Sequence, residues 1–507
     1  MASTEVPIEL RALPSHVDVL IVGAGLSGIG AACHLQRECP DRSIAIVESR
    51  DAIGGTWDLF RYQGIRSDSD MFTLGYTFKP WRQANAIADG ASIRRYIREA
   101  ASEHGIVEKI HFNRRVVSAA WSSEEARWTV EIAADGEHTT MTCAFLLGCT
   151  GYYRYDEGYA PHFEGAERFA GELVHPQHWP EDLDYDGKRV VVIGSGATAV
   201  TLVPAMAPRA GHVTMLQRSP SYVLSLPNRD PLAVLVRRVF SERRAYSLLR
   251  WKNALIALAL FELSRRAPRL VRRLLRTGVA SRLPTGYDVD THFNPSYDPW
   301  DQRLCLVPDG DLFDAISNGS ASIATGRIET FTERGLRLTD GTELEANVIV
   351  TATGLNLLAL GGIELAVDGR PVELSSTVGY KGTMLSGVPN LALMLGYTNA
   401  SWTLKADLVA QYVCRLLNHM RDAGYDRAMP VAPDPSLPTL PFLDLKSGYV
   451  ERSIDQLPRQ GSVAPWRLTQ NYPLDVWRLR RGSLQDVGIE FARAPAPVRD
   501  SEPALAA

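Results

Sequence analysis

A glycine-rich turn between an apolar strand and a helix constrains the start of this chain, and the same pattern returns once further on. Residues 17–22 are apolar except for Asp18, and residues 26–35 carry apolar side chains at helical spacing. In a turn of the form GxGxxG, the first glycine permits the bend, the second lets the backbone approach a pyrophosphate, and the third allows the helix to pack on the strand. Here these are Gly23, Gly25 and Gly28. The unit predicts a βαβ fold with parallel strands.

The residue at the end of the following strand indicates which nucleotide the first unit binds. Glu48 stands twenty residues after Gly28, at the tip of the apolar run "SIAIVES". A carboxylate at this place accepts hydrogen bonds from ribose hydroxyls and repels a 2′-phosphate. The first unit therefore predicts a site for FAD or NAD rather than NADP.

The second turn has the GxGxxA variant and the opposite ribose chemistry. It follows the apolar run 190–193, and nineteen residues beyond its alanine the chain offers Arg218 and Ser219 instead of an acid. A guanidinium and a hydroxyl suit a 2′-phosphate. The second unit therefore predicts NADPH as its ligand. The residues of this turn are Gly194, Ser195, Gly196, Ala197, Thr198, Ala199 and Val200.

These patterns predict an α/β protein with two Rossmann-like dinucleotide-binding domains, for FAD and NADP, and a helical insertion. We assign 1–155 and 380–507 to the FAD-binding domain and 156–225 and 325–379 to the NADP-binding domain. The helical insertion takes 226–324, because this stretch has few glycines and many arginines before it becomes turn-rich.

Composition excludes several classes of partner. The net charge of -4 gives no reason to expect nucleic acid. The first sixteen residues lack a signal-peptide pattern and no run reaches the ~18 apolar residues that span a bilayer, so a cytoplasmic location is expected. The pairs Cys33/Cys39 and Cys143/Cys149 match neither zinc nor CxxC redox spacing. Because no dithiol is predicted, oxygen or an external acceptor is expected to take the electrons that NADPH would deliver to the flavin.

The segment "FAGELVHPQHWPEDL", just before the second turn, carries a third pattern. Phe169, Gly171, His175, Trp179 and Pro180 meet the spacing FxGxxxHxxxW followed by proline. Together with the two turns, this pattern resembles the type I Baeyer-Villiger monooxygenases of the flavin-containing monooxygenase superfamily. The related N- and S-oxygenating enzymes usually carry Tyr or Phe in place of the tryptophan, so the Trp-Pro ending favours the Baeyer-Villiger branch. The stretches "GTWDLFRY" and "WDQRLCLVP" are most similar to mycobacterial members.

The two histidines of this segment invite a metal-site interpretation. His175 and His178 are three residues apart, and a metal site would need further ligands at suitable spacing. We therefore expect no metal and a structural, hydrogen-bonding role. Pro176 and Pro180 exclude a regular helix, which predicts an ordered linker between the two domains.

The resemblance implies roles for individual residues. The catalytic arginine of the family falls on Arg303, and Asp68 would pair with it; a guanidinium that keeps its proton suits the stabilisation of developing negative charge. Gln63 replaces the family's proline, and Gln302 stands where some members carry lysine, which could soften the preference for NADPH over NADH. The implied FAD contacts are Ser27, Glu48, Thr56, Trp57, Asp58, Leu59, Asp68 and the backbone near Val116; the implied NADP contacts are Arg66, Ser67, the residues of the second turn, Arg218 and Ser219.

The implied function is FAD- and NADPH-dependent insertion of one oxygen atom of O2 next to the carbonyl of a small apolar ketone, with sulfides or thioamides as further substrates. One alternative is a flavin monooxygenase that oxygenates only nitrogen or sulfur. Another is a nucleotide-sensing or membrane-associated flavoprotein without turnover.

A basic helical stretch in the insertion, "NALIALALFELSRRAPRLVRRLLR", joins mostly apolar residues to six arginines. It predicts a helix with a solvated basic face. The alternatives are a peripheral membrane contact or a surface for homo-oligomers.

Overall fold

The computed structural model describes residues 12–495 of the chain. Its helices are α1 (Leu26–Glu38), α2 (Thr56–Leu59), α3 (Met71–Leu74), α4 (Gly90–Glu103), α5 (Ala197–Met206), α6 (Pro231–Val239), α7 (Glu242–Arg266), α8 (Pro268–Ala280), α9 (Val289–Phe293), α10 (Asp311–Ser317), α11 (Trp402–Ala423), α12 (Gly448–Glu451) and α13 (Tyr472–Arg481). Its strands are β1 (His16–Val22), β2 (Ile44–Val47), β3 (Ile110–His111), β4 (Arg115–Ser122), β5 (Arg127–Ala134), β6 (Glu137–Gly148), β7 (Glu172–Val174), β8 (Arg189–Ile193), β9 (His212–Gln217), β10 (Val223–Leu226), β11 (Cys305–Pro308), β12 (Ala321–Thr325), β13 (Ile328–Thr332), β14 (Gly335–Leu338), β15 (Glu343–Glu345), β16 (Val348–Thr351), β17 (Glu364–Val367), β18 (Arg370–Pro371), β19 (Gly379–Tyr380), β20 (Met384–Leu385), β21 (Leu391–Leu393), β22 (Arg427–Pro430), β23 (Thr439–Pro441), β24 (Arg459–Gly461) and β25 (Ile489–Ala492).

The first unit is built on a nine-stranded sheet with the order β18-β17-β4-β5-β6-β1-β2-β3, in which β21 also pairs with β6. Strand β1 lies between β2 and β6 and is parallel to both. Strands β4, β5 and β6 are antiparallel to their neighbours in this set. The carboxyl ends of β1, β2 and β6 therefore meet at one edge of the sheet, where ligands bind in folds of this type.

The second unit is a five-stranded sheet with the order β12-β9-β8-β16-β7, and all of its pairings are parallel. The two sheets confirm the predicted α/β class with two Rossmann-like units. Strand β7 comes from the segment that we expected to be a linker between the units. Residues 172–174 instead add an edge strand to the second sheet, because their backbone pairs with β16.

Two of the predicted domain boundaries differ from the sheets. Strand β12, which we had placed in the helical insertion 226–324, pairs with β9 in the second sheet. Strands β17 and β18, which we had placed in the NADP-binding domain, belong to the first sheet, where β17 pairs with β4. Strand β12 extends one edge of the second sheet, and β17 with β18 extends one edge of the first sheet. A linear pattern does not predict such additions. The predicted ends of the first domain, 1–11 and 496–507, lie outside the described residues.

A buried charge network attaches the helical insertion to the first unit. Arg250 of α7 is 3% exposed and donates hydrogen bonds to three carbonyls within residues 72–75, and to the Asp407 carboxylate at 3.0 Å. His34 Nε2 of α1 lies 3.2 Å from the same carboxylate. Burial by itself would raise the pKa of Asp407, but the hydrogen bond from His34 and the charge of Arg250 hold it below its ordinary value. The network joins α1, α7 and α11 beneath the first turn.

Candidate active site

A cavity of about 390 Å³ lies at the carboxyl ends of β1, β2 and β6 and extends to the start of α5 in the second unit. It brings together residues that the sequence places in both nucleotide sites and in the catalytic pair. The predicted residues that line it are Gly23, Gly25, Ser27, Glu48, Thr56, Trp57, Arg66, Ser67, Asp68, Val116, Ala197, Thr198 and Arg303.

The first glycine turn has the shape that a pyrophosphate requires. Gly23 has a φ of +108°, and a Cβ there would lie 2.6 Å from the carbonyl oxygen of Cys149. A Cβ on Gly28 would lie 1.8 Å from the Gly23 carbonyl oxygen, so Gly28 serves helix packing and does not line the cavity. Helix α1 begins after Gly25 without a side-chain cap, which leaves its first amides free to donate to phosphate oxygens. The turn fits the diphosphate of FAD.

Glu48 is held as the ribose ligand that the sequence predicts. One carboxylate oxygen accepts from the Ala24 amide at 2.7 Å, and the other accepts from the Arg50 amide at 2.9 Å. Burial raises the pKa of Glu48, although these amides oppose the shift. The oriented carboxylate lines the cavity and can accept hydrogen bonds from ribose hydroxyls.

Asp58 and Leu59, which we expected to contact FAD, do not line the cavity. The Asp58 side chain is 2% exposed and lies between 2.8 and 3.5 Å from four guanidinium groups. A buried carboxylate needs such partners, and they turn it away from the ligand. Asp58 therefore supports the loop beside the first turn. The four arginines are Arg50, Arg61, Arg94 and Arg98.

Some residues of the second turn line the cavity, and others are buried in the core of the second unit. Helix α5 begins after Gly196 without a side-chain cap, and Ala197 and Thr198 of its first turn line the cavity. Ala199 and Val200 are buried in the core of the second unit, so they serve packing instead of the predicted ligand contact. The other residues of the turn, Gly194, Ser195 and Gly196, precede the helix outside the cavity lining.

A second cation stands beside the predicted 2′-phosphate site. Arg218 and Ser219 are exposed where β9 ends, outside the cavity lining. The last residues of β9 and β12 are in register, and the amide of Gly326 donates to the carbonyl of Gln217. Arg327 follows directly and is also exposed. The sequence analysis missed Arg327, since only the pairing of β9 with β12 brings it next to Arg218.

Arg303 and Asp68 form the pair that the resemblance implies, across 235 residues of chain. Arg303 Nε lies 2.9 Å from Asp68 Oδ2, and Arg303 Nη2 lies 3.2 Å from Asp68 Oδ1, so the contact is bidentate. Burial acts to lower the pKa of Arg303, but the Asp68 charge and nearby tyrosines raise it above its ordinary value. The guanidinium therefore stays protonated inside the cavity.

Two tyrosines that the sequence analysis did not assign to the site form one wall beside this pair. Tyr152 and Tyr153 line the cavity and their hydroxyls are 3.1 Å apart. Tyr152 stacks on Trp402 with ring centroids 5.2 Å apart, and the Trp402 indole donates to Ser27 at 2.7 Å. The signal for the two tyrosines was the aromatic run "GYYRY", which follows β6 after two intervening residues.

Residues 169–180, which carry the third sequence pattern, connect the second unit to the backbone that follows Tyr152 and Tyr153, and they do not line the cavity. The His175 ring packs on Gly158, where a Cβ would lie 1.9 Å from Cε1, and its Nδ1 accepts from the Gln177 amide at 3.2 Å. Gln177 is buried and donates to the carbonyls of Arg154 and Tyr155, both at 2.9 Å. Burial lowers the pKa of His175, which favours the neutral ring. The other residues of the pattern lie in or beside β7 and the following turn: Phe169, Gly171, Trp179 and Pro180.

All six cysteines are buried and free. Between residues 12 and 495, no three His, Cys, Asp or Glu side chains converge so as to hold a metal ion.

Comparison with known proteins places this fold and sequence in a defined group. Residues 17–250 match the family described as flavin-binding monooxygenase-like. The chain is 55% identical over 487 residues to the FAD-containing monooxygenase EthA of Mycobacterium tuberculosis, which covers 96% of this chain and 100% of that protein. A crystal structure of OTEMO in complex with FAD and NADP matches with a TM-score of 0.73 at 20% identity, covering 94% of this chain and 99% of that one. Oxidized steroid monooxygenase bound to NADP matches with a TM-score of 0.72 at 21% identity, covering 94% and 100% of the two chains.

Proposed function

Because this chain belongs to the flavin-binding monooxygenase-like family, we propose that it is an NADPH-dependent Baeyer-Villiger monooxygenase acting on small apolar ketones. Membership in the family confirms the resemblance predicted from the sequence and makes the chain a flavoprotein monooxygenase. The proposed reaction converts a ketone, O2, NADPH and a proton into an ester or lactone, NADP⁺ and water. The observation that supports this reaction most directly is the bidentate Arg303–Asp68 pair, which lies in a cavity that both glycine turns approach.

The residues of the cavity fit FAD at one end and the nicotinamide nucleotide at the other. Glu48 and the uncapped start of α1 would hold the ribose and diphosphate of FAD, and the uncapped start of α5 would hold the diphosphate of NADPH. When bound, the flavin supplies hydride acceptance and the activation of O2.

Arg303 supplies the fixed positive charge that the oxygen insertion requires. Negative charge develops on the substrate carbonyl oxygen when its carbon is attacked, and a preorganised guanidinium stabilises that charge without having to reorient. Asp68 holds the guanidinium through two of its nitrogens, which leaves the remaining N–H groups to donate. Tyr152 and Trp402 cover this region with aromatic surface and so exclude water.

The reaction is tested by incubating the purified holoenzyme with NADPH, 18O2 and a panel of apolar ketones and sulfides. We expect an ester or lactone that contains one 18O atom, detected by mass spectrometry, with one NADPH consumed per product. A labelled sulfoxide as the sole product would favour the heteroatom oxygenase instead. NADPH oxidation that does not respond to any ketone or sulfide would favour the nucleotide-sensing alternative.

Arg218 and Arg327 are proposed to recognise the 2′-phosphate together. We expect Arg218→Ala and Arg327→Ala each to raise the KM for NADPH by about 10- to 100-fold, because a hydrogen bond to a charged group contributes ~1.5–3 kcal/mol. The KM for NADH should stay nearly constant, since NADH lacks the phosphate. Steady-state kinetics with both nucleotides measures this, with Arg95→Ala, an exposed arginine of α4, as the control. An equal rise for NADPH and NADH would contradict the assignment.

A cytoplasmic location is proposed for the enzyme. No helix within residues 12–495 is long and apolar enough to cross a membrane.

A further inference from the structure

The helical insertion has a charge opposite to that of the rest of the chain. Residues 231–281 contain eleven arginines and one lysine but only two glutamates, whereas the whole chain has a net charge of -4. The positive charge is therefore concentrated on helices α6, α7 and α8, far from an even distribution. Such an asymmetry creates a local field that attracts an anionic partner.

The same three helices expose most of the large apolar side chains on the surface. Eleven of the seventeen that are exposed among the described residues lie within residues 231–281, so this concentration is not the normal scatter of single apolar residues. Val239 is 68% exposed, Leu235 and Ile256 are 58% exposed, and Leu274 is 57% exposed. These values are those of side chains that no other part of the described chain covers.

Helix α7 shows that the exposure has a direction. Leu248, Leu255 and Ile256 are seven and eight residues apart, and lie on one side of the helix. The other side is anchored in the first unit, where Arg250 is buried in the network with Asp407. The exposed side is therefore held outward by a rigid attachment.

Exposed arginines flank the apolar positions, and four of them lack an ion pair within the described residues. Arg243 and Arg244 of α7 and Arg269 and Arg273 of α8 are exposed and form no ion pair with any residue between 12 and 495. Arg273 directly precedes Leu274, so cation and apolar side chain share one stretch of surface.

We propose that this face of α6, α7 and α8 binds the surface of a bilayer rich in anionic lipid. An interfacial helix inserts apolar side chains at the level of the headgroups while its arginines meet lipid phosphates, and each such cation near the surface contributes to binding. A second copy of the chain fits less well, because a two-fold interface would set the same unpaired arginines against each other. Nucleic acid fits less well because it offers no apolar surface to the exposed leucines.

The proposal is tested by flotation of the purified holoenzyme with two kinds of vesicle, phosphatidylcholine alone and phosphatidylcholine with phosphatidylglycerol. We expect at least about tenfold tighter binding to the anionic vesicles, and loss of that preference at high salt. Equal binding to both vesicles, or binding to neither, would overturn the proposal.

Variants locate the surface. Leu255→Ser with Ile256→Ser, and separately Arg269→Gln with Arg273→Gln, should each weaken binding to anionic vesicles by about tenfold or more. Leu440→Ser with Val487→Ser changes exposed apolar residues elsewhere and should bind like the parent. NADPH oxidation by all three variants should match the parent, which shows that they are folded. Sedimentation without lipid tests the competing interpretation, self-association. If the protein is a dimer that the Leu255→Ser, Ile256→Ser variant dissociates while vesicle binding stays unchanged, the face serves self-association and the membrane proposal is refuted.

Discussion

Replacing Arg303 with alanine is expected to lower kcat for ketone oxygenation by about 100- to 1000-fold, the range seen when one preorganised donor to a developing oxyanion is removed. The reason is geometric: Asp68 fixes the guanidinium in the cavity through contacts of 2.9 and 3.2 Å, and no other arginine of the described chain forms this pair. Product formation under saturating NADPH measures the effect, and flavin absorbance under anaerobic conditions follows the separate reduction by NADPH, which should be affected far less.

Two further variants complete this test: Arg303→Lys asks whether a positive charge alone is sufficient, and Arg265→Ala is the control. Arg303→Lys keeps a positive charge but cannot form the bidentate contact with Asp68, so we expect it to recover only a small part of the lost rate. Arg265 lies in the same insertion and pairs with Asp301 outside the cavity, so Arg265→Ala should keep kcat. If Arg303→Ala formed product within about threefold of the parent rate, the assignment of Arg303 as the catalytic arginine would fail.

Asp407→Asn is expected to cause the largest loss of stability among single polar substitutions in the first unit. The Asp407 carboxylate accepts hydrogen bonds from the Thr77 amide and from the Arg250 guanidinium, both at 3.0 Å, and His34 Nε2 lies 3.2 Å from it. Its removal leaves a buried arginine without a counter-charge, which costs about 3–5 kcal/mol of the free energy of unfolding. That is a large part of the ~5–15 kcal/mol that stabilises a typical domain. The midpoint of urea unfolding, followed by circular dichroism and by flavin release, measures this loss.

The matched control is Asp41→Asn, which breaks the exposed ion pair of Asp41 with Arg421 of α11. An exposed pair contributes little, so the urea midpoint of this variant should stay close to that of the parent. Because His34 stands on α1, whose first turn builds the FAD site, Asp407→Asn should also lower the fraction of protein that retains flavin. A urea midpoint and flavin content equal to those of the control would show that the buried network does not support the first unit.

The parts of the site that the sequence predicts well depend on neighbours in the chain. Gly23 and Gly25 bend a turn between a strand and a helix that follow each other directly, and Glu48 ends the next strand of the same βαβ unit. A left-handed or closely packed backbone position demands glycine whatever surrounds it, so spacing alone carries the prediction. The assignment of Arg303 and Asp68 needed the resemblance to a family, since nothing local joins positions 235 residues apart.

What the sequence by itself determined is therefore the two glycine turns and the α/β class, because periodicity and glycine spacing act over a few residues. The opposite ribose chemistry of the two sites stays a prediction. Only the tertiary structure decided that Asp58 faces four arginines instead of the cavity, that Arg327 stands beside Arg218, and that β17 joins the first sheet. These outcomes depend on which distant side chains and sheet edges are still unpaired once the units pack. A buried carboxylate or an open strand edge takes the partner that reaches it in space.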